Sequence, residues 1–483
     1  MVQEKAILKI IGILLMLFSF SMLPPVYVSW LYQDYDATPF LISFCLAFFS
    51  GFLVWLPARD YKVDLKARDG FIIVFLFWLV LGVYSALPFM LSYHPHMVLS
   101  EAVFEAVSGF TTTGGTVLSH IENLPPSILY YRQQLQFLGG MGIIVLAIAV
   151  LPMMGVGGMQ LYRAEVTGPV KDKLTPRITE TAKTLWYIYV GLTVICIMTF
   201  WLFGMDLFNA ICYGFGTIST GGYAPHDASA AFYSSSLIQY AMIFFMLIGG
   251  TNFSLHFIML RKGDIRTYWR EPEFRMYISL FFIASIAIMA WLYLSGTEVS
   301  ISKAIRDSMF QVSSFMTTAG FGSVNLGLWP QLIQLGLLFL GAIGGCAGST
   351  SGGVKIIRLI LLGKQSQREI QRLVHPNGVF HIKLGGFPVP VNVINATWGF
   401  LAAYVMSFII LMLLLMATGL DQVTAFSTLL ACISNTGPAL GEAINNYGNL
   451  NNSALWLLSF AMLLGRLEVF TVLVLFSRTF WRV

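Results

Sequence analysis

The sequence predicts an all-α polytopic membrane protein. It has ten transmembrane helices, the last eight arranged as four repeats of span, re-entrant segment and span behind two extra N-terminal spans. Three observations predict this. Of the 483 residues, 57% are hydrophobic and only 11% are charged, where a soluble domain carries about 25% charged residues; mean hydropathy is +0.75. Ten segments are apolar over the roughly 20 residues that a crossing needs. If these segments alternate in direction, 24 of the 28 lysines and arginines fall on one side, the asymmetry that marks cytoplasmic loops. A soluble enzyme, a nucleic-acid binder and a disordered chain are excluded.

Taken in order, the spans cover roughly 7–31, 38–57, 71–92, 130–155, 184–204, 236–260, 276–295, 331–362, 393–419 and 454–476. The first follows a short basic start and lacks a small-residue cleavage site, so it is an anchor and not a signal peptide. Basic residues gather at Lys5 and Lys9, between Arg59 and Arg68, Arg163 and Lys183, Arg261 and Arg275, Lys355 and Lys383, and at the C-terminus. Arg132, Lys303 and Arg306 fall opposite, and Arg466 lies inside the last span. Both termini are therefore expected in the cytoplasm. The expected units are 1–69 (two extra spans), 70–180, 181–272, 273–390 and 391–483 (four repeats). The longest polar stretch, Gly363 to Lys383, is expected to be a cytoplasmic loop. With no soluble domain attached, any nucleotide sensing falls to a partner. Cys45, Cys196, Cys212, Cys346 and Cys432 stand singly in apolar stretches, as buried thiols do.

Four connections on the side opposite the basic loops are rich in glycine and threonine. They read S-G-F-T-T-T-G-G (108–115), F-G-T-I-S-T-G-G-Y (215–223), S-F-M-T-T-A-G-F-G (314–322) and C-I-S-N-T-G-P (432–438). Aligned on Gly114, Gly221, Gly320 and Gly437, the pairs before the glycine are Thr112-Thr113, Ser219-Thr220, Thr318-Ala319 and Asn435-Thr436. Gly115, Gly222, Phe321 and Pro438 follow. About a dozen residues of helical character precede each copy: Glu101–Phe110, Asp206–Phe215, Lys303–Phe315 and Asp421–Ile433. Twelve residues cover about 18 Å, enough to enter a membrane but not to cross it. Ser100, Asp206 and Asp421 stand where a helix N-cap is wanted.

Each half-helix then brings its C-terminal end, with its partial negative charge, to mid-membrane, where it favours a cation. The chain leaves through a turn whose carbonyls lack helical partners. Such backbone is tolerated in a bilayer only when buried in protein or lining a watery cavity. Four such turns around one axis would form a ring of carbonyls able to replace the hydration shell of a potassium ion. Threonine and serine hydroxyls can add oxygen ligands. A single copy could equally be a packing turn, but four copies in register must converge on something.

Taken together, the two leading spans, the four span–half-helix–span units and the quoted turns resemble the TrkH branch of the bacterial Trk/Ktr/HKT potassium transporter superfamily. The resemblance covers essentially the whole chain, and the two extra spans favour TrkH over the shorter KtrB type. It implies a single-chain, pseudo-fourfold potassium pore in the bacterial inner membrane, with potassium at the filter residues quoted above. It further implies a homodimer surrounded by membrane lipid, and a cytosolic TrkA-type nucleotide-binding ring docked on the basic cytoplasmic loops. The chain departs from the potassium-channel T-V-G-Y-G pattern: one glycine is common to the four copies, and Ala319 and Pro438 break the symmetry.

The stretch 341–353 reads G-A-I-G-G-C-A-G-S-T-S-G-G, with six glycines in thirteen positions. Each glycine costs a helix about 1 kcal/mol against alanine, so the span should unwind here. The resemblance implies an intramembrane gate of Gly344, Gly345, Gly348, Ser349, Thr350, Ser351, Gly352 and Gly353. The alternative is a close helix contact through small residues. No G-x-x-x-x-G-K-[ST] is present, so this chain binds no nucleotide there. Arg466, roughly 18 Å from either end of its span, is expected to face a cavity. Its expected role is an electrostatic brake that anchors the gate; a partner of backbone carbonyls is the plainer alternative. Glu101 and Glu105, on one half-helix face, are expected to be solvated near the outer mouth.

Two mechanisms fit this pattern. One is passive, channel-like flux gated from the cytoplasm. The other is proton- or sodium-coupled symport, since broken helices also mark secondary transporters. An intramembrane enzyme is excluded, because no nucleophile–base set and no metal-ligand spacing occurs among the residues, the seven histidines included.

Overall fold

The computed structural model describes residues 3–61, 67–145, 178–298 and 300–481. The described residues are mostly helical. Six helices are long and apolar enough to cross a membrane: Glu4–Tyr32, Ala37–Ala58, Arg68–Leu91, Ala182–Leu202, Pro272–Leu294 and Val391–Ala417. Two sharply bent pairs, Ser236–Gly249 with Phe253–Lys262 (94°) and Asn452–Arg466 with Val469–Phe476 (110°), raise that number to eight among the described residues. Length and apolarity thus support six to eight crossings, where ten were expected. The physical reasons are local. Pro126–Val145 carries Arg132, Gln133, Gln134 and Gln136, and its expected continuation to 155 lies outside the described residues, as does most of the basic stretch 163–183. The expected span 331–362 is split into Gln331–Ile343 and Ile356–Val374 by a non-helical stretch that begins at Gly344, φ +76°.

The first two spans pack through glycines. A Cβ at Gly12 would lie 2.7 Å from the Gly51 carbonyl oxygen, and one at Gly51 would lie 2.9 Å from that of Gly12. Only a bare backbone allows so close a crossing. The buried core has two halves. One joins these spans to the first and last units, through Trp78, Phe110, Leu135, Leu429 and Leu458. The other joins the second and third units, through Tyr189, Tyr213, Phe281 and Phe315. Large apolar side chains such as Trp30, Leu202, Leu294 and Phe476 point outward and exposed, as they must on a lipid-facing surface.

Three expectations need correction here. Gly363–Lys383 is not all loop: the helix from Ile356 runs on to Val374, and a short antiparallel pair, Lys383–Leu384 with Phe387–Pro388, follows. Cys45 is exposed, while the other four cysteines are buried. Arg466 is not in mid-helix. It ends one, because the chain breaks after it at Leu467 and at Glu468, φ +57°.

Four short helices enter the protein: Leu99–Phe110, Leu207–Ile218, Ile301–Met316 and Gln422–Ile433. Asp206 caps the second by accepting from the Asn209 amide (3.1 Å), and Asp421 caps the fourth by accepting from Val423 and Thr424 (3.0 and 3.2 Å). Ser100 is not a cap. The first helix begins at Leu99, two residues earlier than expected, with Val98 at the N-cap position and its amide 3.4 Å from the Glu101 carboxylate. The Ser100 hydroxyl turns to Asn452 instead (2.9 Å).

Candidate functional site

All four half-helices end in the same way. The amide of one residue reaches back five positions along the chain: Thr113 to Ser108, Gly221 to Gly216, Ala319 to Ser314 and Thr436 to Ala431, each at 2.8 Å. The residue before it bonds within the last turn, Thr112 to Gly109, Thr220 to Thr217, Thr318 to Phe315 and Asn435 to Cys432. This is a Schellman ending. Its left-handed position, usually glycine, is held here by Thr112 (φ +53°), Thr220 (+51°), Thr318 (+56°) and Asn435 (+54°). A β-branched residue in that region is strained by about 1–3 kcal/mol, and persists only where its surroundings over-determine it. Two residues later comes a second positive φ, at Gly114 (+81°), Gly222 (+82°), Gly320 (+77°) and Gly437 (+92°).

This geometry resets one register. The counterpart of Gly114, Gly320 and Gly437 is Gly222, not Gly221. The second turn reads Thr220-Gly221-Gly222, with Ser219 still in the helix-ending residue at φ −73°. The residue between the two positive-φ positions is then Thr113, Gly221, Ala319 or Thr436.

The carbonyls of those four intermediate residues close a ring. A Cβ on Gly114 would press on the Gly221 carbonyl oxygen, one on Gly222 on that of Ala319, one on Gly320 on that of Thr436, and one on Gly437 on that of Thr113. Each turn leans on the next, and the fourth leans on the first. Beyond the ring lies a cavity of about 580 Å³, lined by residues of all four turns, among them Gly115, Tyr223, Phe321 and Pro438.

Side chains behind the turns hold this arrangement. Gln136 donates to the Gly221 carbonyl (2.5 Å) and accepts from the Tyr223 amide (3.2 Å). Tyr447 donates to the Gly437 carbonyl (2.6 Å). Ser108 donates to Gly115 (2.6 Å), and Ser314 to Phe321 (2.7 Å). One turn before Gln136 on the same helix, Arg132 forms a 2.8 Å ion pair with Glu105, both side chains fully buried. Glu105 therefore does not face solvent, as its helix face suggested. It also accepts from Thr116 and the Val117 amide, while Arg132 reaches the Ala224 carbonyl and lies over the Tyr223 ring (4.2 Å).

Beneath the turns runs the glycine-rich stretch. Gly345 bonds to Ser351 (3.0 Å) and Ser349 to Ser351 (2.9 Å), which folds the stretch on itself. Gly348 accepts from the Phe253 amide (3.0 Å). Thr350 donates to the Ile218 and Gly249 carbonyls (3.0 Å each). The Gly352 amide donates to Thr318 Oγ1 (2.7 Å) and the Gly353 amide to the Ser434 carbonyl (2.9 Å). Arg466, 4% exposed, donates from Nη1 to the Thr350 carbonyl (2.9 Å). Its Nε and Nη2 have no partner among the described residues. Glu468 does not serve Arg466. It pairs with Arg358 at 2.7 Å. A buried carboxylate, Glu273, ties the stretch at two points, accepting from Ala347 (2.8 Å) and Ile357 (3.1 Å).

In the wide cavity on the other side of the ring, the His226 ring stacks on Phe232, with centroids 3.5 Å apart. Burial pushes its imidazole below the ordinary value, against the pull of Glu122, Asp206 and Asp227. His226, Gln136 and the Glu105–Arg132 pair sit in no repeated motif, so nothing in the residue pattern pointed to them.

A family model described as TrkH, cation transport protein, matches residues 37–482. The chain is 48% identical over 483 residues to the Trk system potassium uptake protein TrkH of Vibrio parahaemolyticus, covering 99% of this chain and 100% of that one. It is 49% identical over 479 residues to the TrkH of Escherichia coli K12, with 99% of each covered. It is 38% identical over 472 residues to the E. coli K12 uptake protein TrkG, with 98% and 97% covered. The crystal structure of the potassium transporter TrkH from V. parahaemolyticus superposes with a TM-score of 0.93 at 45% identity, over 99% of this chain and 100% of that one.

Proposed function

The chain belongs to the TrkH family of cation transport proteins, and from that premise we propose that it takes up potassium across a bacterial inner membrane. The route is one pseudo-fourfold pore built from units 70–180, 181–272, 273–390 and 391–483, with residues 1–69 as two flanking spans. The observation that carries this is the closed ring of the Thr113, Gly221, Ala319 and Thr436 carbonyls, each against the glycine of the preceding turn. Carbonyls at the ends of four inward-pointing helices offer a dehydrated cation the oxygens it loses from water, backed by four partial negative charges. Gly344–Gly353 beneath the ring acts as the gate, and Arg466 places a positive charge in the cation's way and ties the gate through Thr350.

Potassium is cargo, not a resident cofactor, and this chain binds no nucleotide. Both termini lie in the cytoplasm. A TrkA-type nucleotide-binding ring sits on the basic loops there, and a homodimer forms in the membrane. These assignments rest on charge placement and on family membership.

The alternative is ion-coupled symport. Against it, the four turns share one local geometry and direction, which suits a continuous pore better than alternating access. Tracer uptake of potassium into potassium-loaded liposomes holding only this chain tests the choice. Saturable uptake without any proton or sodium gradient supports the passive pore. Uptake that begins only when such a gradient is imposed replaces it with the symporter.

A further inference from the structure

The oxygens under the filter turns are shared out in a telling way. The four left-handed residues present Thr112 Oγ1, Thr220 Oγ1, Thr318 Oγ1 and Asn435 Oδ1. Two of these, Thr112 Oγ1 and Asn435 Oδ1, are buried without a hydrogen-bond partner among the described residues. The other two bond to the gate stretch in opposite senses: Thr318 Oγ1 accepts from the Gly352 amide at 2.7 Å, and Thr220 Oγ1 donates to Thr350 Oγ1 at 3.2 Å. The same stretch also serves helix-end carbonyls of two units, Ile218 through Thr350 and Ser434 through the Gly353 amide. An unsatisfied buried oxygen costs about 1–3 kcal/mol. The gate thus satisfies part of an oxygen cluster and leaves the rest bare, while the Arg466 guanidinium bonds to its far side.

We infer that the gate stretch Thr350–Gly353 and a permeating cation compete for this one oxygen cluster, so that the cation is itself an opener of the gate. The N–H and O–H donors of Gly352, Gly353 and Thr350, with the Arg466 charge behind them, stand where a desolvated monovalent cation would satisfy the same oxygens. A cation arriving through the ring takes all of them, including the two that the gate leaves bare. The gate, having lost its acceptors, is released. The inference rests on the reading of this stretch as the gate. It goes further by making gate position depend on cation occupancy as well as on any cytoplasmic partner.

The test is amide hydrogen exchange at Gly352 and Gly353 of the full chain in lipid nanodiscs. Potassium is compared with N-methylglucamine at equal ionic strength. The expected result is several-fold faster exchange at both amides in potassium, with the transmembrane helices unchanged. Thr318→Val removes one acceptor while keeping shape, and should speed Gly352 exchange even without potassium. Thr350→Val, which removes the hydroxyl on Ile218, should do the same if Thr318→Val does not fold. Equal or slower exchange in potassium overturns the inference. Because exchange needs no flux, a chain that conducts but shows no such change refutes only the competition. A chain that fails the liposome uptake above refutes the pore.

Discussion

Glu105 on the first half-helix and Arg132 on the following helix meet at 2.8 Å with neither side chain reaching solvent. The pair is extended by Thr116, the Val117 amide, the Ala224 carbonyl and the Tyr223 ring, so it spans the outer ends of the first and second turns. Two charges buried this deeply are costly to separate, because whichever remains is stranded. We predict that Glu105→Gln destabilises the protein by about 3–5 kcal/mol, read as a lower midpoint in detergent thermal unfolding. Replacing both residues, Glu105→Gln with Arg132→Gln, should recover part of that loss while lowering the potassium-to-sodium flux ratio. A single variant as stable as the parent would refute the prediction.

The ring makes a sharp distinction between glycines. At Gly222 the backbone is left-handed and a Cβ would strike the Ala319 carbonyl, whereas nothing lies within 4 Å of a Cβ at Gly336. Gly222→Ala should abolish selective flux in liposomes. Gly336→Ala should leave flux unchanged and stabilise its helix by up to about 1 kcal/mol. Equal effects of the two on flux would remove the ring from the account.

Arg466 holds the Thr350 carbonyl through one nitrogen and has two more without a hydrogen-bond partner among the described residues. Arg466→Gln keeps a donor near Thr350 but removes the positive charge, which the proposed function sets in the cation's path. Single-channel recording should show conductance raised several-fold. Unchanged conductance would make Arg466 a structural tie only.

A pH effect is expected at the outer cavity. His226 is faced by Glu122, Asp206, Asp227, Tyr213, Phe232 and Tyr233. Its folded-state pKa lies below the ordinary 6.5, chiefly through burial. Its contribution to stability is therefore full above about 6.5 and is lost as pH falls through the folded value. Hydrogen-exchange protection in the segment 224–233, taken relative to the intrinsic exchange rate at each pH, should fall between pH 7.5 and 5 and lose that dependence in His226→Gln. An acid-insensitive parent would exclude His226 as the cause.

Much of this site was legible in the sequence, for physical reasons. Twelve apolar residues behind an aspartate can be little else than a capped half-helix, and Asp206 and Asp421 do cap theirs. Six glycines in thirteen positions cannot hold a helix, and the chain does unwind at Gly344. What stayed hidden depended on contacts between distant residues. Gly221 and Gly222 are indistinguishable until backbone angles are known. Threonine in a left-handed position runs against its own propensity. Glu105 looked solvated because its partner is 27 residues away. The break after Arg466 has only Gly465 to announce it, and that glycine is needed for a different purpose, since a Cβ there would strike the Ile433 carbonyl.

The four turns also differ in how much chemistry they can absorb. Between the two positive-φ residues the chain carries threonine, glycine, alanine and threonine, because that position contributes its carbonyl and little else. One residue on, at Gly114, Gly222, Gly320 and Gly437, the neighbouring turn leaves no room for any side chain. One polypeptide that contains all four quarters can therefore diversify them separately at the first position while being locked at the second. A symmetric assembly of four identical chains has no such freedom, because every substitution appears four times at once. The unequal quarters are what allow a single quarter, the third, to send its glycine-rich stretch beneath the turns of the others, with Thr350 on the Ile218 carbonyl and Gly353 on that of Ser434.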